Sequence, residues 1–106
     1  VPGEEIHLRF MQWFSYFGCD EGYVQVSTRD PITQVWSDWS FVGNHNQDTS
    51  EGWSLKDVDL TSFAGQTIRI AFYHMAATIP QVSCSGTSLG WYVDDIQIIQ
   101  ERPVVL

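Results

Sequence analysis

In the stretch IHLRFMQWF, Ile6, Leu8 and Phe10 alternate with His7, Arg9 and Met11, the two-residue period of a strand with one buried face. YVQVST repeats the pattern, with Val24 and Val26 as its inward set. A turn signal, RDP, precedes ITQVWSDW, which reads as a further strand. The polar run GNHNQDTSEG then reads as a ten-residue loop before WSLKDVDL. A turn around Ala64 and Gly65 leads into a strand with Ile68, Ile70 and Phe72 facing one way and Arg69, Ala71 and Tyr73 the other. The stretch from Met75 to Leu89 is uncharged and rich in Ser, Thr, Gly and Pro, and GWYVDDIQII closes the pattern. Apolar residues do not recur at helical spacing over any useful length. About six strands with frequent turns predict an all-β fold, an antiparallel β-sandwich.

The chain has 106 residues, 43% hydrophobic and 14% aromatic, enough for one sizeable core and short for two, so residues 1–106 read as a single domain. Thirteen acidic residues against five basic ones give a net charge of -8. Such a field repels phosphate backbones and anionic lipid heads, which argues against a nucleic-acid partner. No apolar run approaches the ~20 residues of a membrane helix, so membrane insertion is not expected. The N-terminus lacks a basic segment followed by an apolar one, so any export signal is expected outside the chain.

Cys19 and Cys84 both have turn-type neighbours, in FGCDEG and VSCSGTS. Two readings stay open: one disulfide pinning two loops in an oxidising compartment, which is favoured, or two unpaired thiols. Neither cysteine belongs to a CxxC, which argues against metal binding by the pair.

The succession LRFMQWFSYF, DEGYVQVST, EGWSLKDVDLTSFAGQTIRIAFYH and GWYVDDIQI resembles the jelly-roll modules of bacterial surface and secreted proteins, of the MAM-like and cleaved-adhesin type. The resemblance spans nearly the whole chain. It implies an extracellular or cell-surface location and a jelly-roll sandwich, but no particular ligand. Modules of this group begin with one or two strands ahead of the segment matched by LRFMQWFSY, whereas this chain opens with VPGEE. A lacking or borrowed front strand is therefore expected, through truncation, an open gap or supply by another copy. An open edge is a template for self-association, and the tail ERPVVL is a candidate donor.

Regular alternation through GWYVDDIQII puts Tyr92, Asp94, Ile96 and Ile98 on one face and Trp91, Val93, Asp95, Gln97 and Ile99 on the other. One carboxylate would then face apolar neighbours and need a cation, a basic partner or several N–H donors. A structural calcium is the expectation, with Asp94 first and Asp95 second, and Glu4 and Glu5 as further carboxylates from the strand read as lying beside the last one. Asp20 and Glu21 form a lesser group. The resemblance points the same way, because jelly-roll modules of this kind often hold calcium with an aspartate of the final strand. The alternative is an Asp94–arginine pair with Asp95 solvated.

Five tryptophans invite a glycan-binding reading, since flat aromatic faces stack on sugar rings. Trp53 and Trp91 read as structural. Trp36 and Trp39, three apart on an expected strand, should face opposite ways, leaving Trp13, Tyr16 and Trp39 as the candidate ligand platform. Catalysis has little support: His7, His45 and His74 fall in no ligand spacing, and Ser83, Ser85 and Ser88 in no nucleophile elbow. Asp94 and Asp95, as neighbours on opposite faces, are not expected to flank one glycosidic bond. The expectation is a noncatalytic extracellular adhesion or interaction module with structural calcium, part of a larger protein and binding a glycan or protein at the cell surface. A carbohydrate-binding module and a self-assembling structural subunit are the alternatives.

Overall fold

The computed structural model describes residues 4–17, 19–76 and 88–102. Among the described residues, six strands form in chain order: β1 (Glu5–Ser15), β2 (Glu21–Arg29), β3 (Ser40–Asn46), β4 (Ser54–Asp59), β5 (Thr67–Met75) and β6 (Gly90–Glu101). A 3-10 turn at Thr61–Phe63 joins β4 to β5. Two antiparallel three-stranded sheets, β4-β1-β6 and β3-β2-β5, pack against each other as a β-sandwich. Among the described residues, no helix is long and apolar enough to cross a membrane.

Alternation in the two central strands builds the core. Leu8, Phe10 and Val58 from one sheet meet Val24 and Val26 from the other, and Leu60 closes the cluster. Ile68, Ile70, Phe72, Trp91 and Val93 pack around it. Phe72 stands edge-on to both Phe10 and Trp91, with centroids 5.0 and 5.5 Å apart. Burial of each large apolar side chain contributes about 1.5–3 kcal/mol, so these few residues dominate the adhesion of the sheets. Gly43, at φ +72, lets β3 come close to Val58, where an added Cβ would meet a Val58 methyl at 3.3 Å.

Two expectations fail for a local reason. ITQVWSDW is not a strand: Asp30 Oδ1 accepts the backbone N–H groups of Ile32 and Thr33, at 2.8 and 2.9 Å, and starts a turn. The chain then folds back over β2, touching it through the Arg29–Trp36 bridge and a 2.7 Å bond from the Ser27 hydroxyl to the Ser37 carbonyl. The strand forms instead at Ser40–Asn46, running into the first four residues of the stretch read as a loop. Polar GNHN pairs there because the inward face needs only Val42 and the buried Asn46.

The two-residue alternation also breaks in β6. Met11 faces Asp94 but Arg9 faces Gln97, so Asp95 and Ile96 together oppose Phe10. Asp95 takes φ +53, the left-handed conformation that Asp and Asn tolerate better than most residues. This bulge moves Ile96 and Ile98 to the sheet side shared with Leu8 and Phe10. Both remain more than half exposed on an edge strand.

Candidate functional site

The predicted calcium ligands are not brought together. Asp94 pairs with Met11 while Glu5 pairs with Glu101; six residues of β1 separate them, about 20 Å of strand. Because of the bulge neither aspartate is buried, and Asp94 Oδ1 accepts the Asp95 N–H at 2.8 Å. Glu4 bonds Gln100 and the Arg102 guanidinium, which holds its carboxyl below the usual range. The buried carboxylate that called for a cation is therefore absent from β6.

The predicted aromatic platform is also dispersed. Tyr16 is buried, stacked on Phe14 at 5.5 Å, and burial pushes its phenol up to about 12. Trp13 lies on the outer face of β4-β1-β6 beside Tyr92, whereas Trp39 belongs to the opposite sheet's side. Trp91 packs on the core as expected, but Trp53 is exposed. Cys19 sits in the β1–β2 turn, and Cys84 lies outside the described residues, as do Ser83 and Ser85. Beside that turn Asp20 accepts from the Ser88 hydroxyl at 2.7 Å and lies 3.5 Å from His74 Nε2.

What the fold gathers instead is an aromatic strip on the outer face of β3-β2-β5. Tyr23 of β2 stacks on Phe41 of β3 at 4.4 Å and on His45 at 5.1 Å, and Tyr73 of β5 lies directly opposite it. Beyond them the returned β2–β3 loop places Trp36 and Trp39 over one guanidinium, that of Arg69, at 4.6 and 4.7 Å. The two tryptophans were expected on opposite faces; they share Arg69 because their segment is a folded-back loop. Trp39, Phe41 and Tyr73 are 41, 57 and 43% exposed.

Polar groups border the rings. Glu21 accepts from the Tyr23 hydroxyl and from Gln47, which together hold its carboxyl below the usual value. Gln25 pairs across the sheet with both Phe41 and Ala71. At the end of the strip the loop and the turn before β5 enclose an open notch of about 290 Å³, lined by Arg29, Asp30, Pro31, Gln34, Gln66 and Thr67. Sequence reasoning missed Tyr23, Phe41, Tyr73 and Arg69. The outward alternation of Tyr23, Arg69 and Tyr73 was legible, but their pairing across strands was not, and Phe41 fell between an expected strand and an expected loop.

The outer face of the other sheet carries charge. Asp57 of β4 binds His7 Nδ1 at 2.6 Å and Arg9 Nε at 2.5 Å, and Arg9 reaches Glu101 at 2.8 Å. Asp57, with Asp59 and Glu5 nearby, raises the His7 imidazole above its ordinary value, while Arg9 draws the Asp57 carboxyl down. No family model matches the chain, and no curated protein or solved structure matches it.

Proposed function

We propose that this protein is a noncatalytic extracellular recognition module that binds glycans on the outer face of β3-β2-β5. The observation that carries the reading is the exposure of Trp39, Phe41 and Tyr73 on one outer face, with Phe41 stacked on Tyr23 and Trp39 on Arg69. Exposed aromatic surface rimmed by polar groups marks ligand sites more often than chance exposure does. Ring faces contact the CH groups of a sugar, while Glu21, Gln25, Gln47 and Arg69 supply acceptors and donors for its hydroxyls. The resemblance to secreted jelly-roll modules, an extracellular setting and a Cys19–Cys84 bridge belong to the same reading. A structural calcium at Asp94 and Asp95 does not.

A glycan array of the full chain, followed by retention on the best binder, tests this. Phe41→Ala and Trp39→Ala are expected to abolish retention, and Trp13→Ala on the opposite sheet to leave it intact. Equal retention by Phe41→Ala and the parent chain would remove the strip from the account. Mass analysis before and after thiol alkylation tests the bridge separately.

A second reading, association of copies, is favoured by Ile96 and Ile98. They lie on the core-facing side of an edge strand, more than half exposed, and an open edge offers unpaired N–H and C=O groups to another chain. Light scattering across a concentration series distinguishes it, with Ile98→Lys expected to abolish any growth in mass.

A further inference from the structure

On the outer face of β4-β1-β6, Glu5 and His7 are two apart on β1 and so share a face, and Glu101 of β6 lies directly opposite Glu5. One ligand atom from each of the three lies within 4.8 Å of the others. The ring of His7 is fixed from behind. Its Nδ1 is 2.6 Å from Asp57 Oδ1, and the second oxygen of that carboxylate is held by Arg9. An ionised carboxylate only accepts, so Nδ1 carries a hydrogen, and Nε2 is the nitrogen whose lone pair an ion would take, displacing its proton where the ring is charged.

That nitrogen is buried and has no hydrogen-bond partner, in a side chain only 14% exposed. The nearest carboxylate, Glu5, is 4.0 Å away, too far for a hydrogen bond.

We propose that Glu5, His7 and Glu101 form a binding site for a divalent transition cation of the zinc class, with Asp57 as the positioning residue behind His7. An imidazole nitrogen among the ligands favours zinc-class ions over calcium or magnesium, which take oxygen. Two ligands of a tetrahedral zinc lie about 3.3 Å apart. Closing the Glu5–His7 gap from 4.0 Å therefore needs only a small turn of the half-exposed Glu5 side chain. Arg9 holds Oε1 of Glu101 at 2.8 Å, which orients that carboxylate and leaves its other oxygen for the ion. The Asp57–His7 pair is the carboxylate–histidine arrangement that fixes tautomer and ring orientation behind metal-bound imidazoles. Three protein ligands leave a fourth position open to water or an incoming oxygen ligand. The site ties β6 to β1 at the register pair Glu5–Glu101, so occupancy is expected to raise the melting temperature.

Calorimetric titration of the chelator-treated full chain with zinc chloride and, separately, calcium chloride is the test. Zinc is expected to bind once per chain and raise the melting midpoint, and calcium to do neither at this site. His7→Gln and Glu101→Gln should weaken zinc at least 100-fold. Asp57→Asn should weaken it about 10- to 100-fold with the stoichiometry kept. His45→Gln and His74→Gln should leave it unchanged. Histidine imidazole NMR signals of the parent chain provide a readout that does not depend on any variant folding. Only those of His7 should shift on zinc addition. Absence of zinc binding, or zinc binding that moves His45 or His74 and not His7, overturns the proposal.

Discussion

Inside the sandwich, Asn46 of β3 donates its side-chain N–H to Gln12 Oε1 of β1 at 3.0 Å, joining the two sheets through buried amides. Trp91 Nε1 donates to the same oxygen at 3.2 Å. One acceptor thus serves two donors that water does not reach freely. Gln12→Leu should cost about 2–4 kcal/mol, because each stranded donor carries a penalty of roughly 1–3 kcal/mol. Adding Asn46→Leu should recover part of that loss. Urea midpoints of the parent, the single and the double variant check this, and a double variant no better than the single would refute the pairing.

Asp95 supports the β6 bulge through its left-handed backbone at φ +53. Asp95→Gly should be neutral or stabilising by up to about 1 kcal/mol, since glycine takes this conformation without a Cβ penalty. Asp95→Val should destabilise by about 1–3 kcal/mol, since a β-branched residue is strained there. Thermal melting of the two variants should bracket the parent chain.

Acid should act on the β2–β3 loop through Asp30. Its carboxyl is held below the ordinary value of 3.8, first by the N–H of Thr33 and then by that of Ile32. A carboxylate with a lowered folded pKa contributes stability that is complete above its unfolded pKa and is lost as pH falls through the folded one. The contribution should therefore fade below about pH 4. Asp30→Asn keeps an acceptor but cannot titrate, so its stability should fall less steeply on acidification. Tryptophan emission from Trp36 and Trp39 reports the loop during the titration.

The Arg69 guanidinium contacts both the Trp36 and the Trp39 ring, at 4.6 and 4.7 Å. Each exposed cation–π contact is worth about 0.5–1 kcal/mol, so Arg69→Gln should destabilise by about 1–2 kcal/mol. Tryptophan emission should shift red as Trp36 and Trp39 gain water. An unchanged emission maximum would show that the guanidinium does not hold the loop.

Legibility followed the physics of each segment. Where one face is apolar and the other polar, as in Ile6–Phe14 and Ile68–Phe72, period two was enough to place strand, face and core. It failed at Ile32–Trp39, where apolar and aromatic residues between turn signals read as a strand but the Asp30 side chain captures two backbone donors and turns the chain. It failed again at Asp94 and Asp95, because a bulge depends on the register with β1, which the sequence of β6 alone does not reveal. The candidate sites were harder still. Outward-facing His7, Tyr23 and Phe41 look like ordinary exposed positions until cross-strand pairing sets Glu101 and Asp57 beside one and Tyr73 and His45 beside another.

The sequence by itself determined an all-β chain and much of its inward set, Leu8, Phe10, Val24 and Val26, since alternation is a local consequence of backbone geometry. Only the tertiary structure decided which outward side chains become neighbours. Strand order and register join residues as far apart in sequence as Glu5 and Glu101, and those contacts are set by how the sheets close over the core.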